Sequence, residues 1–306
     1  MSRAIQFNQY GGVEVLRVDE VPDAVPAAGQ VRLAVRAAGV NPVDWKILHG
    51  YMASVIPLEF PAGLGSDVAG VVEELGAGVT RFAVGDEVLG SAATPAYAER
   101  ALALEEKLTR RPPGVPWEIA GSLAVVIGTA YKTLAMLAVA DGETLLVHAA
   151  SGGVGLAAVQ LAVARGVRVI GTAGESNHEL LREAGAEPVL YGNGLPERVR
   201  ALAPEGVDAV LDASGRGELA VSVELAGGPE RVLTIAAQDA AEHGVHFHGG
   251  GGGEDTVKAL EEVLPLIEAG TFIFPIAGTF ALEEAGAAFE ESESGHARGK
   301  LVIMPA

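Results

Sequence analysis

The segment Ala150-Ser151-Gly152-Gly153-Val154-Gly155 carries the residue types and spacing that point most directly to chemistry. Glycines let a backbone approach a pyrophosphate closely. The unpaired N–H groups that begin a following helix then face its charge. The pattern is Ala150-x-Gly152-x-x-Gly155, with alanine where a dinucleotide fingerprint has its first glycine. Taken alone, it suits an ordinary tight turn equally well. Its context favours a nucleotide. The apolar strand Thr144-Leu145-Leu146-Val147-His148-Ala149 precedes it, and the helix former run Leu156-Ala157-Ala158-Val159-Gln160-Leu161 follows. A second strand at 167–172 and a third at 207–212 come later, separated by helical stretches. Ser151, Gly152, Gly153, Val154 and Gly155 are therefore expected to cradle a pyrophosphate.

The second strand decides which dinucleotide. NAD-dependent enzymes place Asp or Glu at its end to bind both ribose hydroxyls, and that carboxylate repels a 2′-phosphate. Here the strand ends Gly171-Thr172-Ala173-Gly174, with no carboxylate, which favours NADPH. Glu175 follows closely and keeps NADH possible. Thr172, Ala173, Ser176, Asn177, His178 and Tyr191 are the expected surroundings of the phosphate. Arg182 reads either as a helper there or as part of a solvated helix face.

These residues need a frame. Residues 1–112 are rich in short strands and turns, as in the alternating run Val31-Arg32-Leu33-Ala34-Val35-Arg36-Ala37. Such spacing suggests a partly closed barrel or a sandwich. The proline-dense stretch 110–116 reads as a boundary. Beyond it, strand and helix patterns alternate to about residue 260, which implies a doubly wound parallel sheet. Later strands are expected at 231–236 and 244–248. The five consecutive glycines 249–253 read as a flexible surface loop, and 255–269 as an amphipathic helix. The last strand, 299–304, is too short to found a domain and is expected to rejoin the first one. The boundaries are thus 1–113, 114–264 and 265–306.

Composition excludes several classes of function. Hydrophobic residues make up 49% of the 306, enough for a large core. No apolar run is long enough for a spanning helix, and the start lacks the core of a signal peptide, so a cytoplasmic location is expected. Cysteine is absent, which removes disulfides, thiolate zinc sites, Fe–S clusters and cysteine nucleophiles. A net charge of −19 repels nucleic acid and anionic membranes alike.

Several segments in order resemble the quinone oxidoreductase (zeta-crystallin-like) branch of the medium-chain dehydrogenase/reductase superfamily. They are Tyr10-Gly11-Gly12-Val13-Glu14-Val15-Leu16, Ala38-Gly39-Val40-Asn41-Pro42-Val43-Asp44-Trp45-Lys46 and Gly63-Leu64-Gly65-Ser66-Asp67-Val68-Ala69-Gly70. Gly128-Thr129-Ala130-Tyr131, the glycine turn, 206–212 and Gly295-His296-Ala297-Arg298-Gly299-Lys300-Leu301-Val302 complete the series. The resemblance implies an α/β protein with a GroES-like barrel domain, an inserted Rossmann domain and a cleft between them. It also implies NADPH-dependent reduction of a quinone or an α,β-unsaturated carbonyl. Zinc-dependent members use Cys and His ligands where this chain has Val40-Asn41 and Leu64-Gly65, so no catalytic zinc is expected and no structural zinc lobe is present.

Without a metal, reduction needs a hydride donor, a group that stabilises charge on the acceptor oxygen, and a proton source. The matching loop makes Asn41 a candidate for orienting the substrate or the nicotinamide ribose, although Asn before Pro42 also suits a plain turn. An ammonium at Lys46 would stabilise a developing enolate or quinol anion, unless Lys46 is simply solvated. Asp44 reads as a loop-fixing residue. Tyr51 donates a proton, caps the cleft, or packs. The resemblance sets Thr129 against the nicotinamide and pyrophosphate, though it equally suits a helix N-cap. Ser214, Gly215, Ile235 and Ala236 are expected to line the nicotinamide ribose and carboxamide. Phe247 and Lys300 are expected at the nicotinamide end, with a core position as the other reading of Phe247.

Two rivals stay open. One is an enoyl-thioester reductase of the same superfamily, which needs a basic groove that no basic stretch here supplies. The other is a redox-inactive NADPH-binding structural or sensor protein. Relatives in the family often pair an edge strand of the Rossmann domain, so a homodimer is possible. The glycines after 248 would make such an edge pair poorly.

Overall fold

The computed structural model describes residues 1–250 and 253–305, so part of the five-glycine run lies outside the described residues. Its elements run β1 (Ser2–Gln6), β2 (Arg17–Val21), β3 (Gln30–Val40), α1 (Pro42–Leu48), β4 (Asp67–Leu75), β5 (Glu87–Ser91), β6 (Arg100–Leu104), β7 (Leu108–Arg110), α2 (Trp117–Ala120) and α3 (Ala124–Leu137). There follow β8 (Thr144–His148), α4 (Gly153–Val163), β9 (Arg168–Ala173), α5 (His178–Glu183), β10 (Glu187–Leu190), α6 (Leu195–Leu202), β11 (Ala209–Asp212), α7 (Leu219–Ala226), β12 (Val232–Thr234) and β13 (His246–Phe247). The chain ends with α8 (Thr256–Glu268), β14 (Ile276–Ala281), α9 (Ala285–Ser294) and β15 (Lys300–Met304). Among the described residues, no helix is long and apolar enough to cross a membrane.

The chain divides into two compact units. One comprises Met1–Val125, Thr256–Thr271 and Pro275–Ala306; the other comprises Val126–Asp255 and Phe272–Phe274. The division falls at 125 and 255, where the proline signal and the helix pattern suggested 113 and 264. Side-chain bonds explain the difference for α8. Thr109 Oγ1 donates to Glu261 Oε1 at 3.2 Å, and Gly114 N–H donates to Glu268 Oε1 at 3.0 Å, which ties this helix to the first unit. Gln160 in α4 bonds both the N–H and the carbonyl of Ile273, at 2.6 and 3.0 Å, which ties 272–274 to the second.

The first unit is a partly closed β-barrel. Its strands run β14-β15-β3-β4-β5-β7, with β6 also on β3, and β1 and β2 form a hairpin. β3 is long enough to change partners along one edge: residues 30–34 pair with β6, and Ala38, Gly39 and Val40 pair with β15. Register shifts against β4, between Arg32 and Leu33 and between Val35 and Ala37, bend it at the change. Val31, Leu33, Val35, Val68, Leu108 and Phe289 pack in the resulting core.

The second unit carries six parallel strands in the order β10-β9-β8-β11-β12-β13. Taken in sequence these are its third, second, first, fourth, fifth and sixth strands, the dinucleotide-fold order whose direction reverses between β8 and β11. Near-continuous apolar runs such as Leu145-Leu146-Val147, all fully buried, are what a strand covered on both faces requires.

Candidate functional site

In the first unit, strand register assembles a buried polar cluster. Leu301 pairs with Val40, which sets Lys300 beside Asn41, and Ala37 pairs with Ala69, which brings Asp67 to the same end. Lys300 Nζ donates to Asn41 Oδ1 at 2.7 Å and to the Val40 carbonyl at 2.8 Å, and lies 3.8 Å from Asp67 Oδ2. Asn41 Nδ2 donates to Asp67 Oδ2 at 2.9 Å. The Asn41 amide is thus fixed at both ends, because an ammonium only donates and a carboxylate only accepts. Asp67 Oδ1 accepts the Val125 N–H at 2.7 Å.

Asp44, in the first turn of α1, accepts the Asn41 N–H at 2.8 Å, the carboxylate half of a capping box. The Tyr97 hydroxyl donates to the same oxygen at 2.7 Å. Asn41, Asp44, Asp67, Tyr97 and Lys300 are all buried. Burial pushes the Asp44 carboxyl up to about 6, against the pull of Tyr97, the Asn41 N–H and Lys300. It also raises Asp67, lowers the Lys300 ammonium, and raises the Tyr97 hydroxyl well above its ordinary value.

Of the expected residues, the structure therefore brings Asn41, Asp44 and Lys300 together. Lys300, which the resemblance set at the nicotinamide end, spends its ammonium on Asn41 and Val40. Lys46 and Tyr51 lie apart from this cluster in an aromatic group. The Lys46 ammonium stands 5.5 Å from the Trp45 ring centre, and Tyr51, 64% exposed, stacks on His49 at 5.3 Å.

In the second unit, the glycine turn joins β8 to α4. Gly152 occupies the N-cap of α4 and contributes no side-chain cap, so the first N–H groups of the helix are open to an anion. A Cβ on Gly155 would stand 2.3 Å from the Ala149 carbonyl oxygen, so only glycine allows the helix to sit this close to the strand. Ala150, where a first glycine was expected, is fully buried with φ in the ordinary range, and Ala149 before it takes the left-handed conformation, φ 51°. Thr172 holds both: its hydroxyl accepts the Ala149 N–H at 3.2 Å and its carbonyl accepts the Ala150 N–H at 3.0 Å.

Asn177 Nδ2 donates to Ser151 Oγ at 3.3 Å, and His178 Nε2 lies 3.4 Å from the Ala173 carbonyl. A Cβ on Gly174 would lie 3.8 Å from the Tyr191 ring. Ser151, Ala173, Asn177, His178 and Tyr191 thus gather around the turn, with Ser176 and Glu175 exposed beside them. Arg182 is paired with Glu179 of its own helix at 3.1 Å.

A second group forms after β11 and β12. Asp212 Oδ1 accepts the N–H groups of Ser214 and Gly215 at 2.9 and 3.1 Å, and Asp212 Oδ2 accepts the Thr234 hydroxyl at 2.8 Å. Gly215, φ 63°, packs on Ala236, whose backbone carbon an added Cβ would meet at 2.8 Å. Ser214, Gly215, Ile235 and Ala236 therefore share one edge. Thr129 is buried in α3. Phe247 is 50% exposed, because its two-residue strand lies at the sheet edge, and this corrects the core reading.

Asp67, Tyr97, His148, Asp212, Ser222 and Thr234 were not singled out from the sequence. A signal existed for two of them: His148 and Asp212 close the largely apolar strands β8 and β11. A polar residue at the carboxyl end of a parallel strand stands where such sheets bind ligands.

Comparison with known proteins gives consistent matches. The Alcohol dehydrogenase GroES-like domain family matches residues 27–141, and the Zinc-binding dehydrogenase family matches 153–248. A quinone oxidoreductase of Pseudomonas aeruginosa is 36% identical over 330 aligned positions, covering 100% of both chains. The human quinone oxidoreductase is 33% identical over 249, covering 79% of this chain and 75% of its own. The quinone oxidoreductase structure from Coxiella burnetii superposes with a TM-score of 0.86 at 30% identity, covering 100% and 99%. Mycobacterial Rv1454c complexed with NADPH gives 0.85 at 30% identity, covering 100% of both.

The zinc in one family description does not fit the donors present here. The chain has no cysteine, and the described residues include no group of three or more His, Cys, Asp or Glu able to hold a metal. Where a ligand set would begin, after Val40, the buried cation is the Lys300 ammonium. A dinucleotide does fit: the uncapped start of α4 and the close approach at Gly155 are the cradle that a pyrophosphate requires.

Proposed function

The chain belongs to the quinone oxidoreductase branch of the medium-chain dehydrogenase/reductase superfamily, and we propose that it reduces a quinone or an α,β-unsaturated carbonyl with NADPH. The observation that carries this reading is the uncapped glycine start of α4 at the reversal of strand order between β8 and β11. The absence of a carboxylate at the end of β9 supports the phosphorylated dinucleotide, as does the NADPH complex of a relative.

When bound, the reduced dinucleotide supplies the hydride. The chain's own residues do the rest. Main-chain N–H groups of Gly153 and Val154, with the Ser151 hydroxyl, bind the pyrophosphate, and Gly152 leaves room for it at the helix start. The loops at Ser214 and at Ile235 orient the nicotinamide end. Asn41 and Asp44 fix the start of α1, and thereby the residues that follow it. Lys46 places a cation for the oxyanion that develops on the acceptor, and Tyr51 offers a hydroxyl to protonate it.

The test is a panel of quinones and enones, with NADPH and NADH oxidation followed in parallel. Acceptor-dependent oxidation, faster with NADPH, is expected. Tight dinucleotide binding with no acceptor that accelerates oxidation would instead establish a binding protein. Activity confined to long thioesters would establish the enoyl reductase.

A further inference from the structure

At the carboxyl edge of the second unit's sheet, parallel register sets polar side chains in one row. His148 pairs with Asp212, Asp212 pairs with Thr234, and Thr172 follows the Val147–Gly171 pair. Within this row the hydrogen bonds have a single consistent direction. The Ser222 hydroxyl donates to the Glu218 carbonyl at 2.8 Å, so its one proton is committed there. His148 Nε2 lies 3.0 Å from Ser222 Oγ and must therefore donate to it. A neutral imidazole with its proton on Nε2 accepts at Nδ1. The Thr172 hydroxyl, 3.4 Å away, meets that acceptor, and Thr172 Oγ1 keeps a lone pair for the Ala149 N–H at 3.2 Å. Complete burial of His148 disfavours its charged form, against the pull of Asp212 and Glu218.

The two ends of this chain are the loops already assigned to the dinucleotide. At one end, Ala149 is held in a left-handed conformation that residues with a side chain seldom adopt, and its carbonyl accepts the Gly152 N–H at 2.9 Å. At the other, Glu218 precedes α7, and its carboxylate accepts the Ser214 hydroxyl at 2.6 Å and the Arg216 N–H at 3.2 Å.

We propose that His148, as the neutral Nε2–H tautomer, is a positioning residue that couples the glycine turn to the loop at 214–218, so that both are set for one dinucleotide together. The proposal rests on the reading of this unit as the dinucleotide site. A failure of either is separately visible.

Two measurements test it. In protein labelled with nitrogen-15 at histidine, two-bond proton–nitrogen spectra at pH 7, assigned by difference from His148→Gln, should show His148 protonated on Nε2 alone. An Nδ1–H tautomer or an imidazolium overturns the proposal. Fluorescence titration with NADPH then compares Thr172→Val, Ser222→Ala and the double variant. Each single variant should raise Kd about fivefold, the size of one neutral hydrogen bond. The double should stay below about tenfold, because either break disables the same chain. Thr172→Ser, which keeps the hydroxyl, should restore the wild-type Kd. Multiplied effects, or unchanged affinity in the single variants, overturn the coupling while leaving the dinucleotide site standing. A wild type that binds neither NADPH nor NADH overturns both.

Discussion

Tyr97→Phe deletes one hydroxyl and keeps the ring that packs against Phe289 and Gly65. The lost group donates to Asp44 Oδ2 at 2.7 Å inside the first unit, where Lys300 and Asp67 also face Asp44. Asp44 ionises at about 6 in the folded chain and at 3.8 when unfolded. Below 3.8 it is protonated in both states and contributes no pH dependence. Between 3.8 and 6 the folded chain holds a proton that the unfolded chain has released, so stability falls as pH rises through this window. Two pK units amount to about 3 kcal/mol. Above 6 the loss is complete, and the buried carboxylate depends on its donors. Removing Tyr97 Oη at pH 8 therefore breaks a bond to a charged group, about 2–3 kcal/mol. At pH 5 it breaks a bond to a neutral acid, about 1 kcal/mol. The difference moves the Asp44 pKa up by about one unit, to near 7. Urea unfolding of wild type and Tyr97→Phe at both pH values measures this directly. An equal loss at pH 5 and pH 8, or a greater one at pH 5, would refute the assignment of the buried titration to Asp44.

Gly155→Ala should cost about 3 kcal/mol in urea unfolding, because its methyl would overlap backbone at 2.3 Å. Gly152→Ala meets its nearest atom at 3.3 Å and should cost less than about 1 kcal/mol, yet weaken NADPH binding about tenfold. Unweakened binding would contradict the pyrophosphate position. Lys300→Met strands a buried carboxylate and should lower stability by about 3 kcal/mol. Adding Asp67→Asn should recover part of this in the same unfolding assay; a further loss on adding it would show that the two groups are not paired. Lys46→Ala should reduce kcat well beyond any change in the KM for NADPH, and unaltered steady-state turnover would remove the anion-stabilising role.

The dinucleotide half of the molecule was largely legible because its signals are local. A strand, a glycine turn and a helix occupy contiguous residues from Thr144 to Val163, and the missing carboxylate at the end of β9 is a single position. Gly155 was readable as a close approach from its type alone. The alanine at 150 was legible as a departure, but its consequence was not. The strain sits one residue earlier, at Ala149, and the group that holds it there is Thr172. The cluster in the first unit depended on pairing that no local window contains. Lys300 and Asn41 are 259 residues apart in sequence and meet only because β15 pairs with the end of β3. Tyr97 lies in a stretch with no regular strand between β5 and β6, so no periodicity marked it as buried.

The buried polar residues, those named from the sequence and those not, share a physical task. In the first unit, buried side chains end on main-chain groups of residues 40, 41 and 125: Lys300 on the Val40 carbonyl, Asp44 on the Asn41 N–H and Asp67 on the Val125 N–H. In the second, Thr172, Asp212, Ser222 and Thr234 do the same for Ala149, Ser214, Gly215, Glu218, Ala236 and Ala237. A segment that leaves a strand to present groups to a ligand has no ladder partner, and its buried N–H and C=O groups still require one. Side chains, most of them at strand ends, supply the partner, and burying them costs less than leaving the backbone unpaired. Hydrophobic patterning locates the strands and stops at their ends, which is where Asp67, Thr172, Asp212, Thr234 and Lys300 stand, whereas Asp44 and Ser222 stand on helices. A lone polar residue closing an apolar strand is therefore a mark of the loop beyond it, and His148, one residue before the strained turn, is the clearest instance in this chain.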